Sequence, residues 1–595
     1  MVAQQVAANL LKKNSSDRSV KLGKINQAEF HVKDILFDNF RNDVAAPNES
    51  QGFHVRLERY HYGLYVIGGD LVIHLNSDLT VVGVSPSTIL AISVTNSSIT
   101  TALEHRQCES INDMTNTTAN SSSTHQLVIY GRRRLSKPLL AWDITKQVIA
   151  KDGTAMVVHY ILEVNCSRVI DRFSETKTII SPGLPSFEDL LLSRNEDSIP
   201  PIQLKQSTCY LHEAAQGIGN ALYNGRVKLS TSFVDGLYYQ LKDPLRKCHT
   251  TVNEHSSFHG PHVEEFTLFN IWGWSDNYTA AADVHYGYAA SYDYFSNMFG
   301  RQGIYDSSKS GMVARSRLDL GRSWNNTSWY NGQMTFGIGD GIIFNPFTSL
   351  EIVAHVFTHG LIDATANLIY SGESGALHQA TCDILSVLID FHSKDRSFYA
   401  PNYFIGEKLF RHQPGFFFRS MIQPSDDAFL YGGLQSSFDC YCQEKHYAAD
   451  GTDVHYFLSG VANHFFYLLA EGTVLGIPSR TCNPWDCRVA TRTNQTLVGI
   501  GQKKAGRIWY RALTTYFTSD TNYSEAQDAT IKAAKDLFTN FEVKAVKDAW
   551  TAVKVVPVEK ISNQNTPPQR KSSDHGSFHT PPNESVKVRK RWRVG

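Results

Sequence analysis

The stretch His355-Val356-Phe357-Thr358-His359, followed by Gly360-Leu361-Ile362-Asp363, decides how the rest of this chain is read. Ile352-Val353-Ala354 precede it, and no proline stands between Thr348 and Pro401. Apolar residues recur at three- and four-residue steps, which predicts a helix. Positions i and i+4 of a helix share a face one turn apart, so His355 and His359 can hold one ion between two imidazoles. By themselves, two histidines at this spacing are more often ordinary core or surface residues than ligands. The next segment changes that balance. Tyr370-Ser371-Gly372-Glu373-Ser374-Gly375-Ala376-Leu377-His378-Gln379-Ala380-Thr381-Cys382-Asp383 turns at its glycines and runs into a second apolar helix at 384–389.

The first stretch has the frame of H-E-x-x-H, in which the inner glutamate is the general base of a zinc protease; here that place holds Val356. Together the two segments resemble the active-site helices of the thermolysin family of metallopeptidases, which read roughly V-A-H-E-L-T-H-A and E-S-G-A-L-N-E-A-x-S-D. The resemblance implies His355 and His359 as zinc ligands and puts Gln379 where the family has a glutamate ligand. His378 stands for the preceding Asn, Cys382 for the Ser, and Asp383 is the acid that supports the first His. Zinc takes electron-rich ligands, and a Gln carbonyl is neutral. Val356 cannot take a proton from a bound water, and a positioned base is worth roughly 10²–10⁴-fold in rate. His378, about 100° round the helix from Gln379, is a possible substitute third ligand.

Other segments resemble the same family in order. The run 326–341 is similar to the strand along one wall of the substrate cleft, which implies that Asn326 and Trp329 face a bound peptide; Asn326 also lies in a sequon, so a glycan there would block that edge. Arg419 in Phe418-Arg419-Ser420-Met421 maps to the arginine beside the S1′ pocket and third ligand. Asp450 and His455, in Asp450-Gly451-Thr452-Asp453-Val454-His455, map to the pair that stabilises a tetrahedral oxyanion, with Tyr370 as the partner tyrosine. By the same resemblance a calcium site would use Glu351, Asp390 and Glu407; Asn402 and Phe404 thin its ligands, so at most one weakly held calcium is expected.

Upstream, 53–84 alternates apolar and polar residues between glycine turns, an antiparallel meander similar to thermolysin and fungalysin propeptides. More strands are expected at 127–130, 138–144 and 156–164, a helix near 30–40, and an Asn/Ser/Thr-rich loop at 95–125. The expected class is α+β: a β-rich prodomain, then a two-lobed thermolysin-like domain with a β-rich N-terminal lobe, a mainly helical C-terminal lobe and a cleft between them. Its parts are 1–50, a polar segment; 51–200, the propeptide domain; 215–350 and 351–556, the two lobes; and 557–595, a disordered basic tail.

Lys plus Arg equal Asp plus Glu at 57 each in 595 residues, so no nucleic-acid partner is expected, and no apolar run is long enough to span a bilayer. Twelve N-x-Ser/Thr sequons and nine cysteines, including a small loop at Cys482 and Cys487, point to an extracellular protein whose signal peptide is not visible in the sequence. The loss of both the base and the acidic ligand points to a pseudopeptidase that binds a peptide or protein in its cleft. A zinc-dependent endopeptidase with a residual site is the alternative. A third reading keeps the prodomain clamped on the body.

Overall fold

The computed structural model describes residues 30–37, 52–78, 80–86, 91–104, 124–132, 137–165, 168–182, 213–254, 266–273, 276–306, 315–319, 323–394, 402–431, 436–442, 454–473, 480–482, 490–492 and 496–555. They lie in one compact unit, Met1–Pro557. The expected tail at 557–595, Asp450 and Cys487 lie outside the described residues.

Alternating sequence builds the first half. Strands β1 (Phe30–Phe37), β2 (Phe53–His61), β3 (Leu64–Ile67), β4 (Leu71–Leu75), β5 (Val81–Ser85), β6 (Thr124–Tyr130), β7 (Leu139–Ile149), β8 (Ala155–Glu163) and β9 (Val169–Ser174) form one nine-stranded sheet. Its order is β5-β4-β2-β3-β6-β7-β8-β9, with β1 paired to β2. The helix expected near 30–40 is therefore β1. A bulge between Val32 and Asp34 brings Phe30, Val32 and Ile35 into one apolar cluster, and this two-then-three spacing imitates a helical period. The sheet thus begins before the expected edge at residue 50. A helix, α1 (Asn96–Glu104), stands where a loop was expected. Its two anchors, Ile99 and Ala102, lie three apart and are buried with Trp142 and Tyr160, a helical spacing hidden among Ser and Thr.

His159 on β8 sits between Asp143 (2.8 Å) and Glu175 (2.9 Å). Burial alone would lower its pKa, but hydrogen bonds from the ring to the two carboxylates raise it to about 9. A raised histidine stabilises the fold fully below its unfolded value near 6.5, and that stability is lost as pH climbs from about 6.5 to 9. Roughly 2 kcal/mol should disappear over that window, allowing for the exposure of Glu175. In His159→Asn the pH-dependent fall in unfolding free energy should be absent; an unchanged slope would remove His159 as its cause.

The second half carries a six-stranded sheet, order β10-β19-β20-β18-β15-β14, and a five-stranded sheet, order β16-β13-β12-β11-β17. The strands are β10 (Lys177–Thr178), β11 (Glu213–Ala221), β12 (Gly225–Val234), β13 (Tyr238–Gln240), β14 (Lys242–Asp243), β15 (His249–Glu254), β16 (Phe266–Thr267), β17 (Ile271–Trp272), β18 (Arg315–Asp319), β19 (Thr327–Tyr330) and β20 (Gln333–Gly337). Asn331-Gly332 joins β19 to β20 with φ of 44° and 81°, the pair of left-handed residues a two-residue type I′ hairpin requires. The helices are α2 (Asp276–Phe299), α3 (Leu350–Asp363), α4 (Gly372–Ser393), α5 (Val454–Glu471), α6 (Gln502–Arg511), α7 (Tyr523–Leu537) and α8 (Asn540–Ala552). All of α3 except Asp363 is buried. It lies flat on β19 because Gly360 has no side chain; a Cβ there would come within 2.6 Å of the Trp329 ring.

Buried polar contacts lock the two halves together. Arg56 on β2 donates to the carbonyls of Phe517 (2.7 Å) and Thr514 (3.1 Å), groups left over where α6 ends in a π-helical turn, Ala512–Tyr516. Asp70 accepts from Ser519 N at 3.0 Å. Arg132, just past β6, donates to Asp520 (2.6 Å), Asp171 (2.9 Å), Ser374 Oγ (2.8 Å) and the Ser371 carbonyl (3.0 Å).

Candidate active site and the strand that fills it

α3 and α4 bring together most of the residues the sequence singled out. The rings of His355 and His359 stand 4.8 Å apart, nearly perpendicular, and both side chains are fully buried. Asp383 Oδ1 lies 2.9 Å from His355 Nδ1. The Nε2 atoms of His355 and His359 have no hydrogen-bond partner. Burial pushes both histidines below their ordinary pKa, against the pull of Asp383 on His355 and with the help of His355 and His378 on His359. They are neutral imidazoles, the form that binds metal. Two buried, unpartnered nitrogens side by side are costly unless something binds them, so this pair fits a metal ion.

The other donors fit less well. Val356 is fully buried and carries no acceptor. Gln379 Oε1 accepts from Tyr370 Oη at 2.8 Å, and Gln379 Nε2 donates to the Ile179 carbonyl at 3.2 Å. Both ends of its amide are thus bonded to Tyr370 and the Ile179 carbonyl. His378 is turned from the two free Nε2 atoms. Its own Nε2 lies 3.0 Å from His359 Nδ1 and its Nδ1 lies 3.2 Å from the Leu368 carbonyl, so it orients His359 and is not set as a third ligand. Cys382 Sγ lies 3.2 Å from the same Nδ1; among the described residues, His355, His359 and Cys382 form the one His/Cys/Asp/Glu group close enough to share an ion. Cys382 is a free thiol whose pKa burial drives up.

Arg419 grips Asp383 with two donors, Nε to Oδ2 at 2.7 Å and Nη2 to Oδ1 at 2.8 Å, and Asn463 adds a third at 2.9 Å. Burial would raise the Asp383 pKa, but the Arg419 pair holds it well below the usual carboxylate range. His455 packs its ring 4.4 Å from Tyr370 and 4.3 Å from Tyr456.

The cleft contains part of the chain itself. Strand β10 pairs antiparallel with β19, Lys177 opposite Trp329 and Thr178 opposite Ser328. Beyond it, Ile180 N and O bond the Asn326 side-chain amide at 3.3 and 3.1 Å. The Ile179 side chain is fully buried in the main core, and its carbonyl accepts from Arg419 Nη1 at 2.7 Å as well as from Gln379. Tyr370 Oη lies 2.9 Å from the Thr178 carbonyl, and Tyr456 Oη lies 2.5 Å from Thr178 Oγ1. Lys177 meets Asp363 at 3.1 Å, the same carboxylate that accepts from the Trp329 indole at 2.8 Å. Asn326 and Trp329 thus face a peptide strand, and that strand is residues 177–180. Asn326 is 1% exposed and also donates to Asp152 at 2.8 Å, so the glycan expected at this sequon has no room in this state. Sequence reading missed the roles of Thr178, Ile179, Tyr456 and Asn463; the apolar pair Ile179-Ile180 after β9 was the available signal.

The calcium set is also altered. Glu351, Asp390 and Glu407 do come together, but Lys394 bonds Asp390 and Lys408 lies 3.6 Å from Glu351 and 3.9 Å from Asp390. Two ammonium groups occupy the surroundings where the weak ion was expected.

Comparisons with known proteins give the family. The family profile described as thermolysin metallopeptidase, catalytic domain, matches residues 216–363, and that of the thermolysin metallopeptidase α-helical domain matches 366–555. The transglutaminase-activating metalloprotease of Streptomyces mobaraensis is 30% identical over 552 residues, covering 91% of this chain and 63% of that protein. The thermolysin of Alicyclobacillus acidocaldarius subsp. acidocaldarius is 36% identical over 295 residues, 48% of each chain. This chain therefore spans about half to under two thirds of the length of these relatives. The precursor of protealysin from Serratia proteamaculans, a solved structure, is 25% identical with a TM-score of 0.39, covering 51% of this chain and 87% of its own. By its two matched domains, its relatives and its paired active-site helices, this chain belongs to the thermolysin-like family of zinc-dependent metallopeptidases.

Proposed function

We propose that this chain is a catalytically silent member of its family, which binds a peptide strand in the cleft and in the present state holds its own residues 177–180 there. The observation that carries the proposal is the place of Gln379. At the position of an acidic ligand stands an amide whose Nε2 donates to the Ile179 carbonyl. A carboxylate could only accept there and would repel that oxygen. The residue that would help hold a metal is here a clamp on the strand, and Val356 leaves no group to take a proton from water.

Within this proposal the chain divides into a prodomain at 51–200, extended by β1, lobes at 215–350 and 351–556, and end segments outside them. Cys248, Cys440 and Cys442 are disulfide-bonded, which supports an oxidising, extracellular setting. Fold alone does not fix activity, so the silent site is the part to test.

One feature favours a second reading, in which the site still holds zinc. The free Nε2 atoms of His355 and His359 are its support. An ion there would polarise a carbonyl; His378 and Asp383 would orient the two imidazoles from behind. Purified chain supplied with zinc and casein should release no peptides beyond a chelator-treated control. Zinc-dependent, chelator-sensitive hydrolysis that disappears in His355→Ala would overturn the silent reading.

A further inference from the structure

Glu351 on α3 and Asp390 on α4 are 6% and 7% exposed. They face a cavity of about 10 Å³ that Asn402, Glu407 and Lys408 also line, room for about one water. Glu351 Oε2 and Asp390 Oδ1 accept no hydrogen bond. Their other oxygens are engaged: Ser349 Oγ donates to Glu351 Oε1 at 2.8 Å, and Lys394 bonds Asp390 Oδ2. Two buried carboxylates this close repel each other, and burial with the Glu351 charge pushes the Asp390 pKa up.

A calcium ion would need six to eight oxygens at about 2.3–2.6 Å. What the cage offers is different. Lys408 Nζ lies 3.6 Å from Glu351 Oε2 and 3.9 Å from Asp390 Oδ1, so it sits over both free oxygens at once. Lys394 reaches Asp390 from four residues along. A divalent ion in the cavity would meet two like charges. We infer that Lys408 and Lys394 are the built-in cations of this cage, and that the chain joins α3, α4 and the 402–409 segment without a divalent ion. The carboxylates keep their counter-charge, and the counter-charge is covalently part of the protein. This inference does not rest on the silent-site reading, because neither lysine approaches His355 or His359.

The test is thermal unfolding of the whole chain in chelator and in millimolar calcium. The wild type should unfold at the same temperature in both. Lys408→Met should unfold at least about 4 °C lower in chelator, because two buried carboxylates lose their common partner. Calcium should restore part of that loss, the variant having gained an ion-dependence the parent lacks. Adding Glu351→Gln to Lys408→Met should restore the midpoint without calcium, since it removes the repulsion. A wild-type midpoint that rises with calcium would overturn the inference. So would a Lys408→Met midpoint equal to that of the wild type in chelator. A fall in chelator with no response to calcium would still support the lysine as counter-cation and show that the cage accepts only an ammonium. Zinc content and peptidase activity are read separately, so failure here leaves the silent-site proposal standing, and the reverse.

Discussion

Glutamate at both 356 and 379, in a chain whose 177–180 strand has been cleared from the cleft, is expected to hydrolyse casein where the parent does not. The first substitution supplies a base, worth roughly 10²–10⁴-fold. The second supplies an anionic donor beside two neutral imidazoles that are already oriented by Asp383 and His378. The second also undoes the clamp: a carboxylate at 379 sets an acceptor against the Ile179 carbonyl, so Gln379→Glu alone should loosen the strand. Position 356 is fully buried, and a charged group there is costly unless an ion compensates it. The double variant should therefore bind one zinc per chain by mass spectrometry and unfold at a lower temperature in chelator than with zinc. If the cleared, zinc-loaded double variant were no faster than the cleared parent, the two missing glutamates would not be what silences the site.

The second large effect is expected at Arg132. Its guanidinium lies between Asp520 and Asp171, with all three side chains less than a tenth exposed. The two carboxylates raise its pKa although burial opposes them. Arg132→Ala would leave two buried carboxylates without their common partner, a change that costs about 3–5 kcal/mol. Because Asp171 belongs to the nine-stranded sheet and Asp520 to the helical lobe, the loss should appear as a split. One cooperative unfolding transition becomes two, with the nine-stranded sheet melting first. Arg132→Lys should recover only part of it, since an ammonium cannot bridge both acids and the Ser371 carbonyl as a fork does. A single transition at the wild-type temperature in Arg132→Ala would mean that the halves are joined by other contacts, such as Arg56 and Asp70.

The frame of the site was legible because it is written in local spacing. His355 and His359 stand four apart, and helical geometry brings them to one face; Gln379 and Asp383 were picked out by the resemblance of their segment to the thermolysin family. The alternation in 53–84 announced an antiparallel meander, and strands were expected at 127–130, 138–144 and 156–164. Less legible was whatever depends on partners far along the chain. Nothing near Ile179 states that its carbonyl meets Arg419, 240 residues away. His378 illustrates the limit from the other side: its offset from the ligand face could be computed, but whether it turned inward depended on His359 Nδ1 and the Leu368 carbonyl. The lysines of the acidic cage were visible as letters, Lys394 four past Asp390 and Lys408 next to Glu407. Their meaning came only when two helices and a short turn converged. The strand at 30–37 was misread because a bulge gave it a helix-like period.

The pairing of β10 with β19 has a consequence for any attempt to make the body alone. β10 is the last strand of the six-stranded order, and in the chain it directly follows β9, the end of the nine-stranded sheet. Without it, β19 becomes a bare border, its outward N–H and C=O groups unsatisfied and flanked by the apolar slot that Ile179 now fills. Such borders recruit strands from other molecules. A body begun near residue 213 should accordingly tend to self-associate and precipitate. A short peptide of the sequence Lys177-Thr178-Ile179-Ile180, added during refolding, should keep it in solution by closing the same border.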